Sequence, residues 1–239
     1  MDNSKIGHHI SGQFNKELED VRNKVLTMGG LVEQQIELAV TAFSTGDLEM
    51  AELVIKQDHQ VDALEMAIDQ ECMQILALRQ PAAFDLRLLI TVIKIVNELE
   101  RVGDMAERIA EMAIQLSNAD SNRHDQYYEL EHMAELVQEM LHGALDLFAR
   151  MNIEDVTTIT GLDENVDREY GSIIRQLITK MMEDPRNITR MLDVLWIARS
   201  LERIGDHACN VCEHLVYMVK GEDVRHLTQQ ELEKKMKQQ

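Results

Sequence analysis

Four carboxylate pairs are the residues of this chain best suited to chemistry: Asp58 with Asp62, Glu100 with Asp104, Asp163 with Asp167, and Glu202 with Asp206. A four-residue step brings both members of a pair to one side of an α-helix, where like charges repel. The pairs extend into lines. On a helix turning about 100° per residue, Asp58, Asp62, Glu65 and Asp69 share one line, and Glu100, Asp104, Glu107 and Glu111 another. Later in the chain stand Glu202, Asp206, Cys209 and Glu213, and Asp163 with Asp167 before that line turns to Tyr170 and Ile174. Hard oxygen ligands gathered without basic partners are the coordination sphere of a divalent or trivalent cation. A bound cation would relieve the repulsion and make stability depend on its presence. A solvated helix face can carry the same acids with no ligand, so spacing alone leaves both readings open. Arg101, Arg108 and Arg203 are close in sequence but rotate away from the lines.

Other candidates are weaker. Cys209-x2-Cys212, with His207 and His214 nearby, offers half of a zinc site and cannot complete it. On a helix Cys212 turns toward the core while Cys209 stays with the acids, so buried thiols acting as small apolar residues are the better reading. Glu129-x2-His132 and Glu139-x2-His142 have the spacing used by di-iron carboxylate bundles, which take it from two helices rather than one. There is no Ser-His-Asp order, phosphate-cradling glycine loop or His-Glu-x-x-His.

The elements that position these acids are helices. The 239 residues include only 2 prolines, 11 glycines and 4% aromatics, a composition short of the turn and strand formers that sheets need. Leu, Met, Ala, Glu and Gln dominate, and they favour helix. The net charge of -19 repels phosphate backbones, which argues against nucleic acid and for cations or basic protein surfaces. The amino terminus lacks the cationic and apolar blocks of a signal peptide, and the best apolar run, LLITVIKIV, is too short to span a membrane. Three cysteines make no disulfide framework. A cytoplasmic protein with no membrane insertion is expected.

Breaks at Gly46-Asp47, Gln80-Pro81, 117–122, Met151-Asn152, Asp184-Pro185 and Gly221 divide the chain into six long segments, about 5–45, 47–79, 82–117, 123–151, 153–183 and 186–220. In the third, Leu88, Val92, Ile95, Leu99, Val102, Ala106, Ile109 and Ala113 form the core face. Residues 225–239 look like a frayed, charged helical tail. Gly29-Gly30 marks a kink or a close helix contact in the first segment. The chain also repeats itself. Glu100-Arg101-Val102-Gly103-Asp104 returns as Glu202-Arg203-Ile204-Gly205-Asp206, Asp58-x3-Asp62 as Asp163-x3-Asp167, and Pro81 as Pro185, in the same order. A duplicated three-helix unit follows, giving an all-α chain of two tandem, pseudo-symmetric three-helix bundles at 1–119 and 120–220, with a tail at 221–239.

At these repeats the sequence resembles the PhoU family of phosphate-signalling proteins. The residues carrying the likeness are His9-Ile10-Ser11, Gln13-Phe14, Met28-Gly29-Gly30-Leu31-Val32-Glu33, Arg79-Gln80-Pro81, Asp85-Leu86-Arg87 and the two Glu-Arg-x-Gly-Asp repeats. The resemblance implies a homodimer that negatively regulates the phosphate-starvation response and restrains phosphate uptake. It also implies two partners: a phosphate-specific ABC transporter, through its PstB-like ATPase, and a PhoR-like sensor histidine kinase. It further implies iron, zinc, manganese or magnesium at two sites, one of Asp58, Asp62, Glu100 and Asp104 and one of Asp163, Asp167, Glu202 and Asp206. No catalytic residue or organic cofactor is expected. The rival readings are a di-metal carboxylate enzyme and a metal-free helical scaffold.

Overall fold

A computed structural model describes residues 12–119 and 127–237, all helix or short connection with no strand among them. Three long helices form the first unit: α1 (Gly12–Thr45), α2 (Leu48–Arg79) and α3 (Ala83–Ala119). The second contains α4 (Tyr128–Arg150), a short α5 (Val156–Gly161), α6 (Asp163–Glu183), a 3₁₀ turn at Pro185–Asn187 and α7 (Ile188–Lys220). A last helix, α8 (Gln229–Lys237), follows. Of the predicted break at 117–122, residues 117–119 continue α3, and the rest lies outside the described residues, as does the motif His9-Ile10-Ser11.

Local chemistry sets the boundaries. Gly46 turns the chain at φ 72°, and the Asp47 carboxylate then accepts hydrogen bonds from the backbone N–H groups of Glu49 and Met50 at 2.9 and 3.1 Å. These are otherwise orphaned donors of the first turn of α2. Asp47→Ala is expected to cost about 1 kcal/mol, read as a lower urea midpoint at constant slope. Gln80 ends α2 in the left-handed region, and Gly221 ends α7 likewise, its N–H donating to the Tyr217 carbonyl at 2.8 Å.

The predicted fifth segment is two helices rather than one. The chain turns at Gly161-Leu162, where α5 seats Val156 and Ile159 in the core. Ile159 fits because α4 carries Gly143 opposite it, where a methyl group would come within 2.8 Å of Ile159 Cδ1. The break leaves Asp163 in the first turn of α6. The tail is docked rather than frayed. Leu232 is buried, and Gln229 Nε2 donates to the Thr157 carbonyl at 2.8 Å. Thr228 and Glu231 cap α8 reciprocally, with Thr228 N–H to Glu231 Oε2 at 2.8 Å and Glu231 N–H to Thr228 Oγ1 at 3.4 Å.

The two units pack through α3 against α7 and α1 against α4. Along the first seam Arg87 donates to the Met218 carbonyl, Thr91 to the His214 carbonyl, Glu98 meets His207, and Arg108 lies over Trp196. Rising numbers on α3 meet falling numbers on α7, so these helices are antiparallel, with Arg101 and Arg203 near the crossing. All eight residues of the predicted core face of α3 are buried, and so are Leu89, Val96, Met105, Ala110 and Met112. The excess follows from the second unit: α3 is covered on two sides, whereas one amphipathic stripe anticipates one. On the other seam Gly29 is a close helix contact in an unbroken α1, since a methyl there would come within 2.7 Å of Leu145 Cδ2. None of the described helices is long and apolar enough to cross a membrane.

Candidate metal centre

The first acidic cluster forms where α2 and α3 run side by side. Val54, Val61, Ile68 and Ile75 bury one face of α2 and leave its acidic line at the edge of the groove. On α3 the groove floor is Gly103. A methyl group there would lie 3.2 Å from Asp58 Oδ1 and 3.4 Å from Gln35 Oε1 of α1, so the bare backbone lets three helices converge on one carboxylate. Asp58 is only 9% exposed.

Asp58, Asp104 and Glu107 can each present an oxygen such that the three lie within 4.8 Å of one another. Among the described residues no other trio of potential ligands comes so close. Burial, then the charges of Asp62 and Asp104, pushes the Asp58 carboxyl up, with the Gln35 amide opposing. Glu107 is raised by burial and then by Asp58 and Glu111, and Asp104 by burial and then by Asp62. Glu100 is raised by burial and then by Asp104 and Glu65. A positive ion in the groove would oppose every one of these shifts. Gln35 is 1% exposed, and neither atom of its amide has a hydrogen-bond partner of good geometry. An unpaired buried amide beside a carboxylate suits the rim of a cation site, where the amide N–H would hold a ligating oxygen in place.

Asp58 and Asp104 thus fall in the tight trio, while Asp62 and Glu100 stand beside it as neighbouring charges. Glu107 completes the trio. It lies on the predicted line but outside the predicted quartet, and its position one turn beyond Asp104 is the signal that could have included it. Arg101 and Arg203 do not rotate fully out of reach: both draw the Asp104 carboxyl down.

The second cluster repeats the plan with substitutions. A methyl on Gly205 of α7 would lie 3.5 Å from Asp163 Oδ1, and 3.6 Å from Val137, which occupies the place of Gln35. No amide supports Asp163. Burial, followed by Asp167, Asp206 and Glu202, pushes its carboxyl up to about 6. Burial and then Asp206 raise Glu202, whose carboxylate pairs with Arg199 while its Oε2 is buried without a partner. Burial raises Asp206, opposed by Arg199, His207 and Arg203. Cys209 stands at the Glu107 position. Burial and then Asp163 hold its thiol far above the usual range, so it adds no negative charge. The buried Cys212 belongs to the core. His132 and His142 pair singly with Glu169 and Glu33, at 2.9 and 2.8 Å.

The Asp163 shift sets a pH dependence for the metal-free protein. A carboxyl that titrates near 6 when folded and near 3.8 when unfolded makes the folded chain the tighter proton binder between those values. Stability is therefore expected to fall as pH rises from about 4 through about 6, then to level off. Urea midpoints of chelated protein across that range check the sign, and Asp163→Asn is expected to flatten the slope and raise the neutral-pH midpoint.

Known proteins resemble this chain in sequence and fold. A family model described as the PhoU domain matches residues 25–113 and 130–215. The chain is 48% identical over 227 residues to the phosphate-specific transport system accessory protein PhoU homolog of Pseudomonas putida, covering 95% of this chain and 88% of that one. It is 47% identical over 234 residues to the phosphate-specific transport system accessory protein PhoU of Escherichia coli strain K12, covering 98% and 96%. The crystal structure of PhoU from Pseudomonas aeruginosa superposes with a TM-score of 0.83 at 49% identity, over 88% of this chain and 100% of that one. The phosphate transport system regulatory protein PhoU from Streptococcus pneumoniae gives 0.82 at 33% identity, over 89% and 99%.

Proposed function

Because the chain belongs to the PhoU family, we propose that it is a non-enzymatic regulator of phosphate transport and of the phosphate-starvation response. In this reading it works in the cytoplasm as a homodimer and as an adaptor between the PstB-like ATPase of a phosphate-specific ABC transporter and a PhoR-like sensor histidine kinase. Divalent or trivalent cations (magnesium, manganese, zinc or iron) bind the two acidic clusters. Asp58, Asp104 and Glu107, with Asp62 and Glu100 beside them, serve the first, and Asp163, Asp167, Glu202 and Asp206 the second. The observation that carries the metal part is the convergence of three carboxylates beside the buried, unpaired Gln35 amide. Phosphate alone is a poor ligand for bare acids, since like charges repel. Cations instead reset the charge of a rigid helical face that partner proteins read.

The test is genetic. Removing the chain should release expression of phosphate-starvation genes at high phosphate, and repression that persists unchanged would overturn the regulatory reading. For the metal part, Glu100→Ala with Asp104→Ala should lower the metal content of purified protein by about half, since one cluster of the two remains intact.

A further inference from the structure

A strip of opposite charge runs between the two acidic clusters. Arg101 and Arg108 on α3 and Arg199 on α7 are exposed, with Arg203 half-buried beside them near the helix crossing. The Arg108 guanidinium lies 4.9 Å from the ring centre of Trp196, the only tryptophan of the chain. Trp196 is 49% exposed, and Leu192 and Ile188, one and two turns earlier on the same side of α7, are each 42% exposed. Exposed aromatic and arginine side chains in one patch are the residues that dominate binding energy at protein interfaces.

In the metal-free chain three of these arginines already have claims on them. Arg199 pairs with Glu202. Arg101 and Arg203 act on Asp104, and Arg199 and Arg203 act on Asp206. A cation seated among those carboxylates competes for the same oxygens. It would leave the arginines without counter-charges beside an exposed apolar stripe.

We infer that this arginine–tryptophan strip is a docking surface for an acidic segment of a partner protein that carries apolar side chains along one face, and that cation binding at the flanking clusters switches it on. Charge complementarity selects the occupant. On a chain of net charge -19 an acidic segment is repelled elsewhere, whereas a basic one would settle on the acidic lines. A small anion could meet the arginines but would leave Ile188, Leu192 and Trp196 uncovered. The switch rests on the metal reading above; the docking surface does not.

The probe is a synthetic peptide with leucines on one helical face and glutamates on the other, titrated calorimetrically into the full chain while Trp196 emission is followed. Binding is expected to be roughly tenfold tighter with manganese than with chelator, with a blue shift of the emission. Arg101→Glu with Arg203→Glu should abolish it while the manganese content, measured separately, stays unchanged. Asp104→Asn with Asp206→Asn removes the competing charges without a cation, so this variant should bind the peptide even under chelation. If manganese does not bind yet that variant takes up the peptide, the metal reading fails and the docking surface stands. Peptide affinity indifferent to the arginine variants would overturn the surface. So would an equal response to inorganic phosphate alone, or manganese-induced self-association in place of peptide binding.

Discussion

Chelated protein should melt about 5–10 °C below manganese-loaded protein for each cluster that fills. A ligand at a hundred times its dissociation constant adds about 2.7 kcal/mol to stability. For a chain of this size each kcal/mol moves the midpoint by about 2–4 °C. The physical source is the strain already visible without the ion. Asp58, Glu107 and Glu100 are raised by burial and then by neighbouring carboxylates, and Asp104 by burial and then by Asp62, with only partial relief from His59, Arg101 and Arg203. Differential scanning calorimetry with and without manganese checks the shift. Asp58→Asn with Glu107→Asn provides the control. By removing two of the repelling charges it should raise the chelated midpoint while shrinking the manganese gain by about half, because one cluster remains. A midpoint blind to manganese, iron and zinc alike would leave the acids as a solvated face.

Glu98→Ala should be about as damaging to the apo protein as metal is helpful. The Glu98 carboxylate sits at the α3–α7 seam, meeting His207 Nδ1 at 2.7 Å and accepting from Asn210 Nδ2 at 3.1 Å, with His214 Nε2 at 3.6 Å. Its side chain is 16% exposed and those of both histidines 10%. Burial raises the Glu98 carboxyl, but the hydrogen bonds from His207, His214 and Asn210 outweigh it and hold the group well below the usual range. Removing the carboxylate strands buried donors on α7, and His207 Nε2 is already without a partner. The expected loss is about 3 kcal/mol, the order of the cost of leaving several buried hydrogen-bonding groups without partners. Because the pair joins the two units, the unfolding transition should also broaden or split. Glu98→Gln keeps an oxygen acceptor and should lose only about 1–2 kcal/mol. A sharp, unshifted transition for Glu98→Ala would show that the seam is held by its apolar residues alone.

The sequence made the helices and their order legible because each boundary carries local chemistry: Gly46 with Asp47, Gln80 with Pro81, Asp184 with Pro185, and Gly221. Two boundaries depended on partners far away in the chain. The turn at Gly161-Leu162 exists because Ile159 fills the space over Gly143, and no local breaker announces that pairing. The docked tail could have been read from Thr228-x2-Glu231, a capping box, whereas Leu232 finding a burial site depends on α5. The acidic lines were readable from spacing, and their convergence follows from the glycines inside the repeats, Gly103 against Asp58 and Gly205 against Asp163. The repeat already set Cys209 against Glu107, because it aligns Glu100, Asp104 and Glu107 with Glu202, Asp206 and Cys209. Gln35 against Val137 becomes comparable only once α1 and α4 are seen to play the same part. The Glu98–His207 clasp was invisible in the sequence, since its members stand 109 residues apart and on opposite units.

The most direct measurement is anomalous diffraction from crystals grown with manganese and collected at its absorption edge. Peaks are expected in both grooves, one among Asp58, Asp104 and Glu107 and one among Asp163, Asp167, Glu202 and Asp206. Manganese bound only elsewhere on the surface, with both grooves empty at full protein occupancy, would contradict this expectation.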